Sequence, residues 1–271
     1  MRFPGISVPL VLSLILFLAY PILASANNQM IRIATTTSTA NSGLTARLIP
    51  AFEKSSGYRI ELAVSGTGRA LRQAREGKAD LLIVHAPTAE QKFMQEGHGQ
   101  KRQYLMKNQF IIVGPADDPA GISRIKSASQ AFKVIAAKQT TFISRADDSG
   151  THKKELGIWS AANIQPYGGW YFELGMGMGD SLQHANKLAA YILTDSATWL
   201  AKRKQLSLKE LLRGDPELDN PYHLITVNHK KHPSVNVKGA QIFTQWIFSS
   251  QGQDIIRTFS VDQERLFTPA K

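Results

Sequence analysis

The chain has 271 residues, of which 43% are hydrophobic and 20% are charged, and its formal net charge is +11. This composition is sufficient for one large domain or two smaller ones with buried cores, and it excludes a disordered tail, a collagen-like rod and a disulfide-stapled miniprotein. The sequence contains no cysteine, which excludes a thiolate nucleophile, an iron–sulfur cluster and any cysteine-based zinc site.

The N-terminal segment is predicted to be a secretory signal peptide formed by residues 1–26. Arg2 supplies a positive start, residues 8–23 are almost entirely apolar, and Ala24-Ser25-Ala26 is a small-x-small cleavage site. The apolar stretch is shorter than the about 20 residues that a membrane-spanning helix needs. We therefore expect cleavage after Ala26 and export to the periplasm, with an uncleaved membrane anchor as the alternative.

The positive charge attracts anions of every kind, from nucleic acids and lipids to small ions. The densest basic segments, at 202–204 and 229–232, lack the interleaved aromatic residues and the zinc or helix-turn-helix patterns of nucleic-acid readers. We expect solvated surfaces at both segments and no nucleic-acid partner.

Strand-like and helix-like segments alternate along the chain after the signal peptide. Residues 30–34 predict a strand, and residues 39–56 predict a helix with apolar positions at helical spacing that ends at Gly57. The continuous apolar run at 79–84 is typical of a strand buried on both faces. This order predicts a parallel sheet with right-handed crossovers. The second strand and the second helix of the series are expected at 59–64 and 68–76.

The later segments indicate a second α/β unit, followed by a return to the first. We therefore expect an α/β protein of two lobes, with residues 27–113 and 222–271 in lobe I and residues 114–221 in lobe II, hinged about a cleft. The predicted elements are strands at 110–113, 141–145 and 224–227, helices at 127–132, from near Gly150 and at 237–249 with an end at Gly252, and further segments at 188–193 and 198–200.

Three junctions between a strand and the next helix are rich in hydroxyl groups and glycines. They are residues 34–39 and 65–68 in lobe I and residues 145–152 in lobe II. Free backbone N–H groups, hydroxyl groups and the helix dipole all favour an anion at such a place, and ligands of open α/β sheets bind at the carboxyl ends of strands. A single junction of this kind is usually a plain helix cap, but three of them predict a small-oxyanion site shared by the lobes.

The binding free energy that such a site needs indicates that both lobes contribute donors to it. Nanomolar capture of an anion requires about −12 kcal/mol after the costs of association. Each charge-assisted hydrogen bond contributes about 1.5–3 kcal/mol, so one helix end with two or three donors is insufficient. Two lobes that close over the ion with six or more donors, and with Arg145 as the nearby cation, are sufficient.

These three junctions, together with Gly175-Met176-Gly177-Met178-Gly179 and Tyr191-Ile192-Leu193-Thr194-Asp195, resemble the periplasmic tungstate-binding proteins of ABC importers, the TupA-like family. The resemblance covers essentially the whole mature chain. It implies a type II periplasmic-binding-protein fold, a monomer that captures tungstate or molybdate for a membrane permease, no cofactor, and no direct metal-cation ligands. It also implies a set of ligand-binding residues, comprising Thr36, Thr37, Ser38, Ser65, Thr67, Arg145, Ser149, Gly150 and Thr151.

Two other functions stay open from the residues alone. A phosphate- or sulfate-binding protein would share the fold, and Asp147 or Asp148 could then accept the proton of hydrogen phosphate, whereas tungstate and sulfate are fully ionised and need donors only. A secreted serine hydrolase would use Ser65 or Ser149 with His152, but the sequence has no Gly-x-Ser-x-Gly elbow.

Several conspicuous residues also have structural interpretations. Arg145 could pair with a neighbouring aspartate at the surface, and His85, which follows a buried strand, is interpreted as a structural histidine. Met176 and Met178 fit either a cleft lining or a flexible loop. The four tryptophans are expected in the core or between the lobes.

Overall fold

The computed structural model describes residues 29–270, so the predicted signal peptide lies outside the described residues. Within that range no helix combines the length and the hydrophobicity that crossing a bilayer requires.

The first part of the central sheet is parallel, as the alternation of strands and helices predicted. The three strands β1 (Met30–Thr36), β2 (Arg59–Ser65) and β3 (Leu81–Val84) lie in the order β2-β1-β3. All four residues of β3 are buried, in agreement with its continuous apolar sequence. Thr36 and Ser65 are opposite each other in the register of β1 and β2, so both strands end side by side at the carboxyl edge of the sheet.

The helix predicted at 39–56 is wrong as a single element, because the structure has two helices there. Helix α1 (Thr37–Asn41) is followed by its C-cap residue Ser42, and α2 (Leu44–Ser56) begins after Gly43. Gly43 has a φ of +86°, a left-handed conformation that glycine adopts without strain and that interrupts the helical path. The next two helices are α3 (Thr67–Arg75) and α4 (Pro87–Gln95).

One long strand, β4 (Gly99–Gly114), links the two parts of the sheet, although the sequence predicted a strand only at 110–113. Residues up to Gln109 pair antiparallel with β9 (Asp219–Val227), and residues from Phe110 onward pair with β7 (Tyr191–Asp195) and β8 (Lys209–Leu212). The sheet is therefore mixed rather than purely parallel, because β9 also runs antiparallel to β3.

The second part of the sheet continues from β4 in the order β7-β5-β6, with β5 parallel to both neighbours. Its core is aromatic: Trp159 is 1% exposed, and its ring centroid lies 4.3 Å from that of Phe132 and 5.2 Å from that of Phe142. This confirms the core assignment of Trp159. The elements of this part are α5 (Ala128–Lys138), β5 (Phe142–Ser144), α6 (Gly150–Ala161), β6 (Tyr171–Glu173), α7 (Met178–Lys187) and α8 (Ser196–Lys202).

The chain then returns to the first part, where the helix predicted at 237–249 is shorter than expected. Helix α9 (Val237–Ile247) ends early, and the Ser249 hydroxyl caps α10 (Ser250–Thr258), so Gly252 lies inside a helix and does not end one. A Cβ atom at Gly252 would lie 2.5 Å from the Trp246 carbonyl oxygen, which explains the glycine. The remaining short strands are β10 (Ser260–Val261), β11 (Glu264–Arg265) and β12 (Thr268–Pro269).

This architecture confirms the predicted two-lobed α/β fold, with the sheet continuous through β4. The pairing partner of β4 changes between Gln109 and Phe110, slightly before the expected boundary at 113/114. The exact division into lobes stays a prediction.

Candidate functional site

The imidazole ring of His85 lies between the first and the third junction. Its Nε2 atom lies 2.8 Å from the Ser38 hydroxyl oxygen and 3.1 Å from that of Thr36, both in the first junction. On its other side the ring lies against Gly150 of the third junction, where a Cβ atom would be 3.1 Å from the ring carbon Cε1. The structure thus brings the first and third junctions together around a residue that the sequence assigned a structural role.

The protonation of His85 follows from its second contact. Its Nδ1 lies 2.9 Å from Asn220 Oδ1, and the amide nitrogen of Asn220 donates to Asn108 Oδ1 at 2.7 Å and to the Tyr222 hydroxyl at 3.3 Å. Since Oδ1 of Asn220 is an acceptor, Nδ1 of His85 carries the proton and Nε2 is free to accept one. Burial lowers the pKa of His85, so the ring is neutral at neutral pH.

The hydroxyl groups of Thr36, Ser38 and Thr39 in the first junction form one hydrogen-bonded network. Thr36 is the N-cap of α1 and accepts from the backbone N–H of Thr39 at 3.3 Å, and its hydroxyl lies 2.7 Å from that of Thr39 and 3.1 Å from that of Ser38. Thr35 instead donates to the Ile83 carbonyl oxygen at 2.8 Å. Thr37 is exposed, and its hydroxyl bonds to no residue that the structure describes.

The second junction lies beside the first, because Ser65 is the register partner of Thr36. Ser65 and Thr67 are both buried. The Ser65 hydroxyl makes one long contact, 3.4 Å to the Gly66 carbonyl oxygen, and the Thr67 hydroxyl has no hydrogen-bond partner within residues 29–270. Gly66 is the N-cap residue of α3, so no side chain caps this helix. These groups are therefore uncommitted donors at the same edge of the sheet.

Arg145 is the fixed cation of the third junction. Its side chain is buried, with 8% of the residue exposed, and it donates to the Thr151 hydroxyl at 3.3 Å and to the Met176 carbonyl oxygen at 3.4 Å. It also forms an ion pair with Asp147, whose other carboxylate oxygen accepts from the backbone N–H of Ser149 at 3.2 Å. The expected pairing with Asp147 exists, but Arg145 is buried and Asp147 is half-buried, so the pair does not lie fully at the surface.

The two methionines of the glycine-rich segment differ in their environment. Met178 is buried as the first residue of α7, whereas Met176 is exposed. The backbone N–H of Met176 donates to the Arg145 carbonyl oxygen at 3.2 Å, so this segment is tied to the third junction.

Ser149 and His152 do not form the pair that a serine hydrolase needs. The Ser149 hydroxyl accepts from the backbone N–H of His152 at 3.2 Å and thereby caps α6, while His152 Nδ1 accepts from the backbone N–H of Asp148 at 3.2 Å. Within the described residues, no imidazole is hydrogen-bonded to the Ser65 hydroxyl either.

Glu155 is a buried acid behind the third junction that the sequence analysis missed. It lies one turn after Thr151 on α6, is 2% exposed, and accepts from the indole N–H of Trp159 at 3.2 Å and from the Tyr171 hydroxyl at 2.8 Å. Burial raises the pKa of Glu155 to about 7. The spacing of Thr151, Glu155 and Trp159 by four residues is the signal that could have placed all three on one helix face.

The described residues contain no group of three or more His, Asp or Glu side chains placed to hold a metal ion. The polar groups around His85 and Arg145 are mostly hydroxyls, amides and one guanidinium. Such a set binds an anion through hydrogen bonds.

Comparisons with known proteins agree on one family. Residues 24–251 match a family model described as a PBP superfamily domain. The sequence is 41% identical to the tungstate-binding protein TupA of Peptoclostridium acidaminophilum over 241 residues, which cover 88% of this chain and 84% of that protein. The solved structure of the tungstate-binding protein TupA from Desulfovibrio alaskensis G20 has a TM-score of 0.81 at 38% identity, covering 89% of this chain and 98% of that one. That of the tungstate ABC transporter from Geobacter sulfurreducens has a TM-score of 0.78 at 41% identity, covering 85% of this chain and 99% of that one.

Proposed function

The chain belongs to the PBP superfamily and, within it, to the family of TupA tungstate-binding proteins, and from this premise we propose that it captures tungstate, or molybdate, for the membrane permease of an ABC importer. The observation that carries the proposal is the convergence of the first and third junctions on His85. Hydroxyls from one lobe and a guanidinium from the other then face one ion.

The proposed ligand-binding residues fall into three groups. Hydroxyls of the first two junctions donate from lobe I, Arg145 supplies the compensating charge, and the first turn of α6 donates from lobe II through its backbone and hydroxyls. Thr37 belongs to the set because its hydroxyl is exposed and uncommitted within the described chain. The proposed residues are Thr36, Thr37, Ser38, Ser65, Thr67, Arg145, Ser149, Gly150 and Thr151.

The carboxylates near the site favour a fully ionised oxyanion over hydrogen phosphate. Hydrogen phosphate carries a proton that needs an acceptor. The Asp147 carboxylate is paired with Arg145 through one oxygen and accepts from the Ser149 N–H through the other. The Asp195 carboxylate accepts from the N–H and the hydroxyl of Thr198. Both carboxylates are thus held by donors of the protein and are not aimed at a ligand proton. Asp148 is exposed and pairs with Lys153.

Export and assembly complete the proposal. We propose that residues 1–26 are removed as a signal peptide and that the mature protein acts in the periplasm as a monomer. Lobe I would comprise residues 27–113 and 222–271, and lobe II residues 114–221. The change of pairing partner along β4, from β9 up to Gln109 to β7 from Phe110 onward, supports a hinge close to Gln109.

Isothermal titration calorimetry with tungstate, molybdate, sulfate and phosphate tests the function. We expect tight binding of tungstate, with a dissociation constant of about 1 nM to 1 µM, and at least about 100-fold weaker binding of phosphate. Tight phosphate binding without a tungstate signal would overturn the assignment. An ester-hydrolysis assay tests the alternative of a serine hydrolase, and we expect it to show no turnover that depends on Ser149.

A further inference from the structure

We propose that His85 and Asn220 are positioning residues that connect the hinge strands to the oxyanion site. In this proposal His85 accepts a hydrogen bond from one of the two hydroxyls of Thr36 and Ser38 and leaves the other hydroxyl to donate to the ligand. The proposal rests on the proposed function, and it gives His85 and Asn220, which are not direct ligands, a positioning role.

The starting point of the connection is an asparagine pair at the hinge. Asn108 of β4 and Asn220 of β9 are partners in the register of the two strands. They lie next to the position where β4 exchanges β9 for β7. Their side chains bond to each other at 2.7 Å and both contact the Tyr222 hydroxyl, at 3.5 and 3.3 Å. The amide of Asn220 is therefore oriented by both hinge strands.

Asn220 in turn fixes His85. With its carbonyl oxygen 2.9 Å from Nδ1, it requires the proton on that nitrogen, and the ring is held in plane by stacking on Tyr222 at a centroid distance of 4.6 Å. A neutral histidine has one proton to give, so Nε2 is an acceptor. Groups that carry charge near the ring are Asp195, Glu90 and Arg145, and none of them is hydrogen-bonded to it.

Two hydroxyls then face one acceptor. Ser38 lies 2.8 Å and Thr36 3.1 Å from Nε2, and they lie 3.1 Å from each other. Nε2 accepts one hydrogen bond through its single lone pair, so one hydroxyl satisfies it while the other is free to donate. When Ser38 turns its proton towards an anion, Thr36 can replace it at Nε2, and the buried nitrogen is never left without a partner. An unsatisfied buried acceptor would otherwise subtract from the binding energy.

The ring of His85 also lies close to Gly150 of the second lobe. A Cβ atom at Gly150 would lie 3.1 Å from Cε1, closer than ordinary van der Waals contact, so a side chain there would press on the ring. Gly150 is the first residue of α6, whose N-terminal turn belongs to the proposed site. Rotation of the lobes about the asparagine pair therefore moves α6 relative to the same ring that orders the hydroxyls. Closure and donor arrangement are thereby coupled through His85.

Amide variants of His85 test the proposal by tungstate calorimetry. His85→Gln can place a carbonyl oxygen near the Nε2 position, and we expect its affinity to stay within about threefold of the wild type. His85→Asn is too short to reach Ser38, and we expect a loss of about tenfold or more, the equivalent of one hydrogen bond. The matched control is His229→Asn, in a loop outside the site, with unchanged affinity. Equal losses in both amide variants would mean that the ring only fills space, and wild-type affinity in both would mean that it has no role; either result overturns the proposal.

Two further measurements test the His85 network even if a variant of His85 folds poorly. In a double-mutant cycle, Ser38→Ala should cost much less in the His85→Asn background than in the wild type, because His85 acts through Ser38, and additive losses would contradict this. Nitrogen-15 NMR of the imidazole in the ligand-free protein should show the Nδ1-protonated form at pH 7.5, and the Nε2-protonated form would refute it. This second readout needs no tungstate, so it separates failure of the positioning network from failure of the proposed function.

Discussion

Replacement of Arg145 by alanine is the perturbation whose effect the structure defines most fully. The guanidinium is buried and donates to three oxygens, those of Thr151, Met176 and Asp147. If it also donates at least one charge-assisted hydrogen bond to the oxyanion, its loss costs about 1.5–3 kcal/mol, which corresponds to a decrease in affinity of about 10- to 150-fold.

The effect of the Asp147 carboxylate adds to that figure. In Arg145→Ala the carboxylate keeps its bond to the Ser149 N–H but loses its cation, so an uncompensated negative charge faces the ligand. The additional change Asp147→Asn removes this charge while the amide oxygen can still accept from Ser149. We expect the double variant to bind tungstate more tightly than Arg145→Ala, by about threefold or more.

The assay is calorimetric titration with tungstate, accompanied by circular dichroism and thermal unfolding to verify the fold. Arg124→Ala is the matched control, because Arg124 is exposed and forms no ion pair within residues 29–270. It should bind tungstate like the wild type. An affinity of Arg145→Ala within threefold of the wild type, with an intact fold, would refute the role of Arg145 as the cation of the site.

Three other changes have defined outcomes. Gly150→Ala places a methyl group 3.1 Å from the His85 ring, and it should weaken tungstate binding about three- to tenfold with little change in melting temperature; unchanged affinity would argue against closure onto the ring. Glu155 has a pKa of about 7 against a usual value of 4.5, so the folded state binds its proton more tightly and stability falls as pH rises through this interval, by up to about 3 kcal/mol. Urea unfolding at pH 5 and pH 8 should show that Glu155→Gln loses this contribution, and an identical pH dependence in both proteins would contradict it. Trp159→Ala should lower the free energy of unfolding by about 3–5 kcal/mol, and a loss below 1 kcal/mol would contradict its place in the aromatic core.

The features that sequence predicted well are local ones. Each junction is a hydroxyl-rich run directly after an apolar strand and before a helix, so its place at the carboxyl edge follows from chain connectivity. The buried strand β3 likewise carries its own signal, because every residue is apolar. The neighbourhood of Thr36 and Ser65 follows from the same parallel arrangement.

The features that sequence missed depend on distant register or on a single backbone angle. Asn220 meets Asn108 only because β9 and β4 align antiparallel across more than a hundred residues, and no periodicity specifies that alignment. The first half of β4 is rich in charged and amide residues, so it was not recognised as a strand. The helix break at Gly43 depends on a positive φ, which an isolated glycine permits but does not require.

The shared strand β4 has a consequence for how the protein folds and moves. Because its first stretch hydrogen-bonds to β9 and its last to β7 and β8, β4 is a single paired strand that runs through both parts of the sheet. Amide protons in the middle of β4 should therefore exchange with solvent only through global unfolding, and the opening of the cleft must be accommodated by twisting of a paired strand, which limits it to a small set of rotations.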